Sequence, residues 1–291
     1  MQITESERES TSQIIVGVDS TGALTAAVDW ATRAAAARGS KLRVLHGFSP
    51  DRPGFAFGMG AESESIRLSN KRMLDRVAAH IHAVDSRVQV ETVQSEDYPA
   101  KLLVRASAAA DLVVLGAQGD SHLGFSAIGQ TAAQVASHSA APVVVVRGGS
   151  AKPAHQRITV GLHMAEDVPS PLGWAFDEAQ RTGSALVVVH AWQPRDSQDP
   201  HLRKSEWADY ADSCEQRVRR WIETQRASHA DVQVSVEITR GNPSRVLAEH
   251  SGSTDLMVVG ARGSGGFDGL RLGQVARDLL GHSKSTLVIT R

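Results

Sequence analysis

One offset governs this chain. Residue n and residue n+144 carry the same feature along almost its whole length. Val16-Gly17 answers Val160-Gly161, Trp30-Ala31 answers Trp174-Ala175, and Gly39-Ser40 answers Gly183-Ser184. The match runs on through His46 and His190, Pro99 and Pro243, Asp111-Leu112 and Asp255-Leu256, and ends at Arg147 and Arg291. Chance similarity drifts in register, whereas this offset does not. A period this long excludes short solenoid repeats and indicates one globular domain present twice. Domains over 12–147 and 157–291 are therefore expected, with Gly148 to Gln156 as a short linker and the first dozen residues as a disordered tail.

Each half alternates strand and helix signals. Ile14 to Val18 is a short β-branched run of the kind a buried parallel strand shows. Ala23 to Arg38 is rich in alanine and stops at Gly39, a helix closed by a C-terminal glycine. Leu42 to His46 reads as a second strand, Pro50 to Gly60 as a loop and Ser63 to Val84 as a long amphipathic helix. Val88 to Val93, Leu112 to Leu115 and Pro142 to Val146 read as further strands. Helices over Pro99 to Ala109 and Gln130 to His138 separate them. Strand and helix in alternation argue for a parallel sheet covered on both faces, with right-handed crossovers.

Composition excludes several functions. With 31 basic and 32 acidic residues the net charge is −1, and no basic block exists to engage a nucleic-acid backbone. Cys214 is the only cysteine, so no internal disulfide forms, which fits a reducing compartment. The polar N-terminus lacks an export signal, and no stretch approaches the roughly 20 apolar residues of a membrane span. A cytoplasmic protein without a membrane partner is expected.

The strongest chemical signal follows the fourth strand of each half. Gly116-Ala117-Gln118-Gly119 is followed nine residues later by Gly129-Gln130-Thr131. Gly260-Ala261-Arg262-Gly263 is followed at the same interval by Gly273-Gln274-Val275. Glycines let backbone N–H groups approach a phosphate, and a helix N-terminus adds its dipole. Two ordinary glycine turns would read the same way, and duplication copies functionless loops too. Asp19, just past the first strand, stands where doubly wound sheets bind ligands. It either accepts hydrogen bonds from a ligand or caps the helix that follows. The second half has His163 at that place. His80 and His82 point apart on their helix, so they do not form a metal pair. No zinc, P-loop or hydrolase motif occurs.

Together these residues resemble a tandem universal stress protein of the actinobacterial type. The resemblance rests on Val16-Gly17-Val18-Asp19-Ser20, Trp30-Ala31, Leu45-His46, the Gly-x2-Gly-x9-Gly spacing and the closing Ala141 to Arg147. It implies two doubly wound α/β domains of five strands each, order 3-2-1-4-5, paired through their last strands. It also implies ATP, with or without magnesium, between the first and fourth strands. The residues it assigns to the nucleotide are Gly17, Asp19, Gly47, Gly116, Gln118, Gly119, Asp120, Gly129, Gln130 and Thr131. In the second half they are Gly161, Gly260, Arg262, Gly263, Gly273, Gln274 and Val275. The departure is Gln130 and Gln274, where the family has Ser or Thr. A lost hydroxyl bond to phosphate costs about 1.5–3 kcal/mol. The expectation is therefore a stress-response regulator that is not an enzyme, although slow hydrolysis of bound ATP would be compatible. It would bind adenine nucleotide weakly, mainly in the first domain, form a homodimer and act on a protein partner. The alternative is a nucleotide-free interaction module with degenerate sites.

Overall fold

The computed structural model describes residues 12–20, 26–48, 60–117, 128–147, 155–165, 167–193, 204–262 and 272–291. The first half runs β1 (Gln13–Gly17), α1 (Ala26–Arg38), β2 (Lys41–Gly47), α2 (Gly60–Val84), β3 (Val90–Ser95), α3 (Pro99–Ala106), β4 (Leu112–Gly116), α4 (Gln130–His138) and β5 (Val143–Val146). The second half repeats it as β6 (Arg157–Gly161), α5 (Ser170–Thr182), β7 (Ala185–Trp192), α6 (Lys204–Arg226), β8 (Val234–Arg240), α7 (Pro243–His250), β9 (Leu256–Gly260), α8 (Gln274–His282) and β10 (Thr286–Thr290). Short 3-10 turns, Ser107–Ala109 and Ser251–Ser253, follow α3 and α7.

The strands form one ten-stranded sheet in the order β3-β2-β1-β4-β5-β10-β9-β6-β7-β8. Each half has the expected 3-2-1-4-5 order, and all pairs within a half are parallel. The halves join where β5 and β10 pair antiparallel, Val143 opposite Ile289 and Val145 opposite Leu287. Each last strand would otherwise be an apolar edge with unpaired N–H and C=O groups, and the duplicated chain supplies the cover.

Successive side chains on a strand point to opposite faces, so every central strand feeds two cores. Ile14, Val16, Val114, Val144, Val288, Val258 and Val160 pack under α1, α2, α5 and α6. Ile15, Val113, Val143, Val145, Leu287, Ile289 and Met257 pack under α3, α4, α7 and α8. Both cores run through the β5–β10 seam without interruption. Gly39 (φ 62°) and Gly183 (φ 65°) end α1 and α5 in the left-handed conformation that favours glycine.

An ion pair also ties the halves together. Arg38, at the end of α1, lies 2.5 Å from Glu178 on α5, and Arg181 bonds the same carboxylate. Glu178 is 5% exposed, so its charge is buried and held by two guanidinium groups. Burial pushes the Arg38 guanidinium below its ordinary value, an effect the Glu178 charge opposes.

Candidate functional site

β1 and β4 are neighbours, with Ile14 to Val16 alongside Leu112 to Val114. The chain leaves them in opposite directions, from β1 to β2 on one flank and from β4 to β5 on the other. The departing segments therefore diverge over the C-terminal ends of the two strands and leave a crevice there. β6 and β9 build a second crevice in the same way.

Asp19 lies at the rim of the first crevice, two residues beyond β1 and half-buried. The residue before it is held from both sides. Val18 N–H donates to Leu45 O at 3.0 Å, and the His46 ring reaches Val18 O through Nδ1 at 3.0 Å. Facing a carbonyl, Nδ1 must be the protonated nitrogen. The other ring nitrogen, Nε2, is buried and has no partner among the described residues. The second crevice repeats the tether: Leu162 N–H donates to Val189 O at 2.9 Å, and His190 Nδ1 donates to Leu162 O at 2.9 Å. His46 and His190 are therefore positioning residues for Asp19 and His163. The signal for this role was in the sequence, since both histidines survive at the common offset while the residues they orient have diverged.

α4 and α8 start at their crevices, each directly after a glycine. Gly129 N–H donates to Ala117 O at 2.9 Å, and Ala117 N–H to Val146 O at 3.0 Å, which fixes the start of α4 to the end of β4. Gly273 and Ala261 repeat this at 2.7 and 2.9 Å. Neither Gly129 nor Gly273 offers a side-chain cap, and a helix N-terminus favours an anion. The side chains of Gln130 and Gln274 are exposed, while Thr131 and Val275 are half-buried on the next position of each helix.

The glycines divide by role. At Gly17 a Cβ would come within 2.6 Å of Leu115 and 3.0 Å of Leu103, and at Gly161 within 2.6 Å of Leu247. Packing against β4 and α3 accounts for the first and packing against α7 for the second. At Gly47 a Cβ would stand 2.8 Å from Pro99 Cα and 2.9 Å from Asp97 O, both backbone atoms that cannot step aside. Gly116 and Gly260 end β4 and β9 at the crevice floor. Gln118, Gly119, Asp120 and Gly263 lie outside the described residues.

The two crevices differ in charge. Where the first has Asp19, the second has His163 and, beside it, His190. Burial depresses the pKa of both imidazoles, and for His190 the neighbouring His163 adds to the effect. Arg262 is exposed at the end of β9, close enough to Arg291 to depress it further after burial has done so. Among the described residues no group of three His, Cys, Asp or Glu side chains could hold a metal. None of the described helices is long and apolar enough to cross a membrane.

Comparison with known proteins agrees with this geometry. The model of the Universal stress protein family matches residues 11–147 and again 155–291. A universal stress protein of Mycolicibacterium smegmatis is 28% identical over 286 residues, covering 96% of each chain. One from Mycobacterium tuberculosis strain H37Rv is 28% identical over 290 residues, again covering 96% of each. The crystal structure of a universal stress protein from Archaeoglobus fulgidus superposes with a TM-score of 0.68 at 15% identity. It covers 96% of this chain and 98% of the other, a likeness of fold.

Proposed function

Because this chain belongs to the universal stress protein family, we propose that it is a stress-response regulator that binds an adenine nucleotide, ATP, weakly and mainly in the crevice of its first domain. The observation that carries this reading is the placement of Asp19. A carboxylate stands just past the end of β1, next to a backbone position clamped by Leu45 and His46, at the crevice whose other wall is the start of α4. A carboxylate accepts hydrogen bonds from a ribose diol, and the helix N-terminus favours phosphate, so one ligand satisfies both walls. The second crevice keeps the helix and loses the carboxylate, so it holds nucleotide more weakly.

Nucleotide occupancy, with or without magnesium, would serve as the signal, read out by a protein partner and by a homodimer in the cytoplasm. The reading assigns no catalytic residue. A nucleotide-free interaction module is favoured by one observation only, the glutamine at the first position of both α4 and α8. Heat release of small molecules from purified protein, followed by chromatography, separates the two readings. Calorimetric titration with ATP should then show binding that Asp19→Ala weakens. A wild-type protein that carries no adenine nucleotide and takes up none at millimolar ATP would sink the proposal.

A further inference from the structure

The ends of β7 and β8 and the start of α6 carry a cluster with no counterpart in the first domain. Trp192 and Arg240 are register partners across β7 and β8. Trp207 and Tyr210 stand three residues apart on α6 and so share one side of it. The Arg240 guanidinium carbon lies 3.7 Å from the centre of the Trp207 ring. Trp192 meets Tyr210 edge-on, with ring centres 4.7 Å apart. At the common offset the first domain has Phe48, Glu96, Ser63 and Ile66. There the strand ends leave a hollow of about 250 Å³ in which Glu96 is neutralised by Arg67. The fold is built once without the cluster, so the fold does not require it.

A buried donor and an exposed guanidinium point to a ligand. Trp207 Nε1 is buried and has no hydrogen-bond partner among the described residues, and a buried donor left unpaired is costly. Arg240 is exposed, with its guanidinium carbon over the Trp207 ring, and it meets no carboxylate among the described residues. A guanidinium presents a planar fork that fits a carboxylate. Trp192 and Tyr210 beside it offer aromatic surface.

We propose that Trp192, Trp207, Tyr210 and Arg240 form a binding site for a small planar aromatic carboxylate. The ring would pack on Trp192 and Tyr210, and the carboxylate would accept from Arg240 and Trp207 Nε1. The site uses neither His163 nor the start of α8, so it stands or falls separately from nucleotide binding.

Calorimetry on the full chain with indole-3-carboxylate tests it, with indole-3-carboxamide and cyclohexanecarboxylate as controls for charge and ring. Saturable binding of the aromatic carboxylate is expected. Both controls should bind about tenfold more weakly, the carboxamide by losing one charge-assisted hydrogen bond and cyclohexanecarboxylate by losing the aromatic contact. Arg240→Gln should lose a similar factor. Trp207→Phe, which keeps a ring and deletes the N–H, should weaken binding several-fold. Absence of binding to the wild type would overturn the proposal. Equal binding of the carboxamide to unaltered protein would do so too, with no variant needing to fold. Displacement of the carboxylate by ATP would move the anion to the crevice and likewise remove this site.

Discussion

Arg147 and Arg291, 144 positions apart, each donate from Nη2 into the opposite domain: Arg147 to Leu280 O on α8, and Arg291 to Ala136 O on α4. Both acceptors belong to the last turn of a helix, where four carbonyls lack an intrahelical donor and the dipole favours a cation. The clasp is reciprocal because the pairing of β5 with β10 is antiparallel. Replacing either arginine by alanine should remove one such bond, about 1–2 kcal/mol, and the double variant should lose about the sum. Urea denaturation of the three variants measures this. Midpoints equal to the wild type would show that the clasp contributes nothing.

Glu178 should be the most sensitive position between the domains. It is buried and bonded by Arg38 from the other half and by Arg181 from its own helix. Removing one partner of a buried pair strands the remaining charge, at a cost of about 3–5 kcal/mol. Glu178→Ala should therefore unfold at markedly lower urea. Substituting Arg38 and Glu178 together by apolar residues should recover much of that loss. A double variant no more stable than Glu178→Ala would refute the account.

Acid should weaken the second domain. The folded-state pKa values of His163 and His190 lie below the ordinary 6.5, so the unfolded chain takes up protons first as pH falls. Their contribution is intact above pH 6.5 and is lost as pH drops through that value toward the folded one. Denaturation at pH 7.5 and 5.5 should show lower stability in acid. His163→Gln should flatten the difference by removing one titrating group and its repulsion of His190. An unchanged slope in that variant would count against this assignment.

Gln130 should set the nucleotide affinity. Its exposed side chain stands at the first position of α4, where a short hydroxyl would complete a phosphate cradle. Gln130→Ser should tighten ATP binding about tenfold, roughly 1.4 kcal/mol, with little change for adenosine. If calorimetry finds equal ATP affinities, the glutamine amide already serves as a phosphate donor.

Much of this architecture was legible because the chain is duplicated. The constant offset gave two domains, and the resemblance gave the pairing of their last strands. The third strand was harder to bound. It was expected over Val88 to Val93 and lies over Val90–Ser95. Val88 is buried at 4% exposure, but its N–H bonds Asp85 O in the turn after α2, so burial there imitates a strand residue. The Arg38–Glu178 pair was illegible. It joins residues 140 apart, and the repeat hides it, because Ala34 and Thr182 occupy the matching places. The histidine tether needed coordinates for another reason. A histidine at a strand end has many uses, and only the Nδ1 contact with Val18 or Leu162 separates them.

The antiparallel seam has a consequence for how the molecule meets others. Strands within a half run parallel, and the halves run in opposite directions. The C-terminal ends of β1 and β4 therefore open at one rim of the sheet and those of β6 and β9 at the other. One chain has two ports that face away from each other, so a compact partner docked at one has no reach to the other. A bivalent partner that recognised both would join chain to chain in an open string, and its assembly would grow with concentration rather than close on itself.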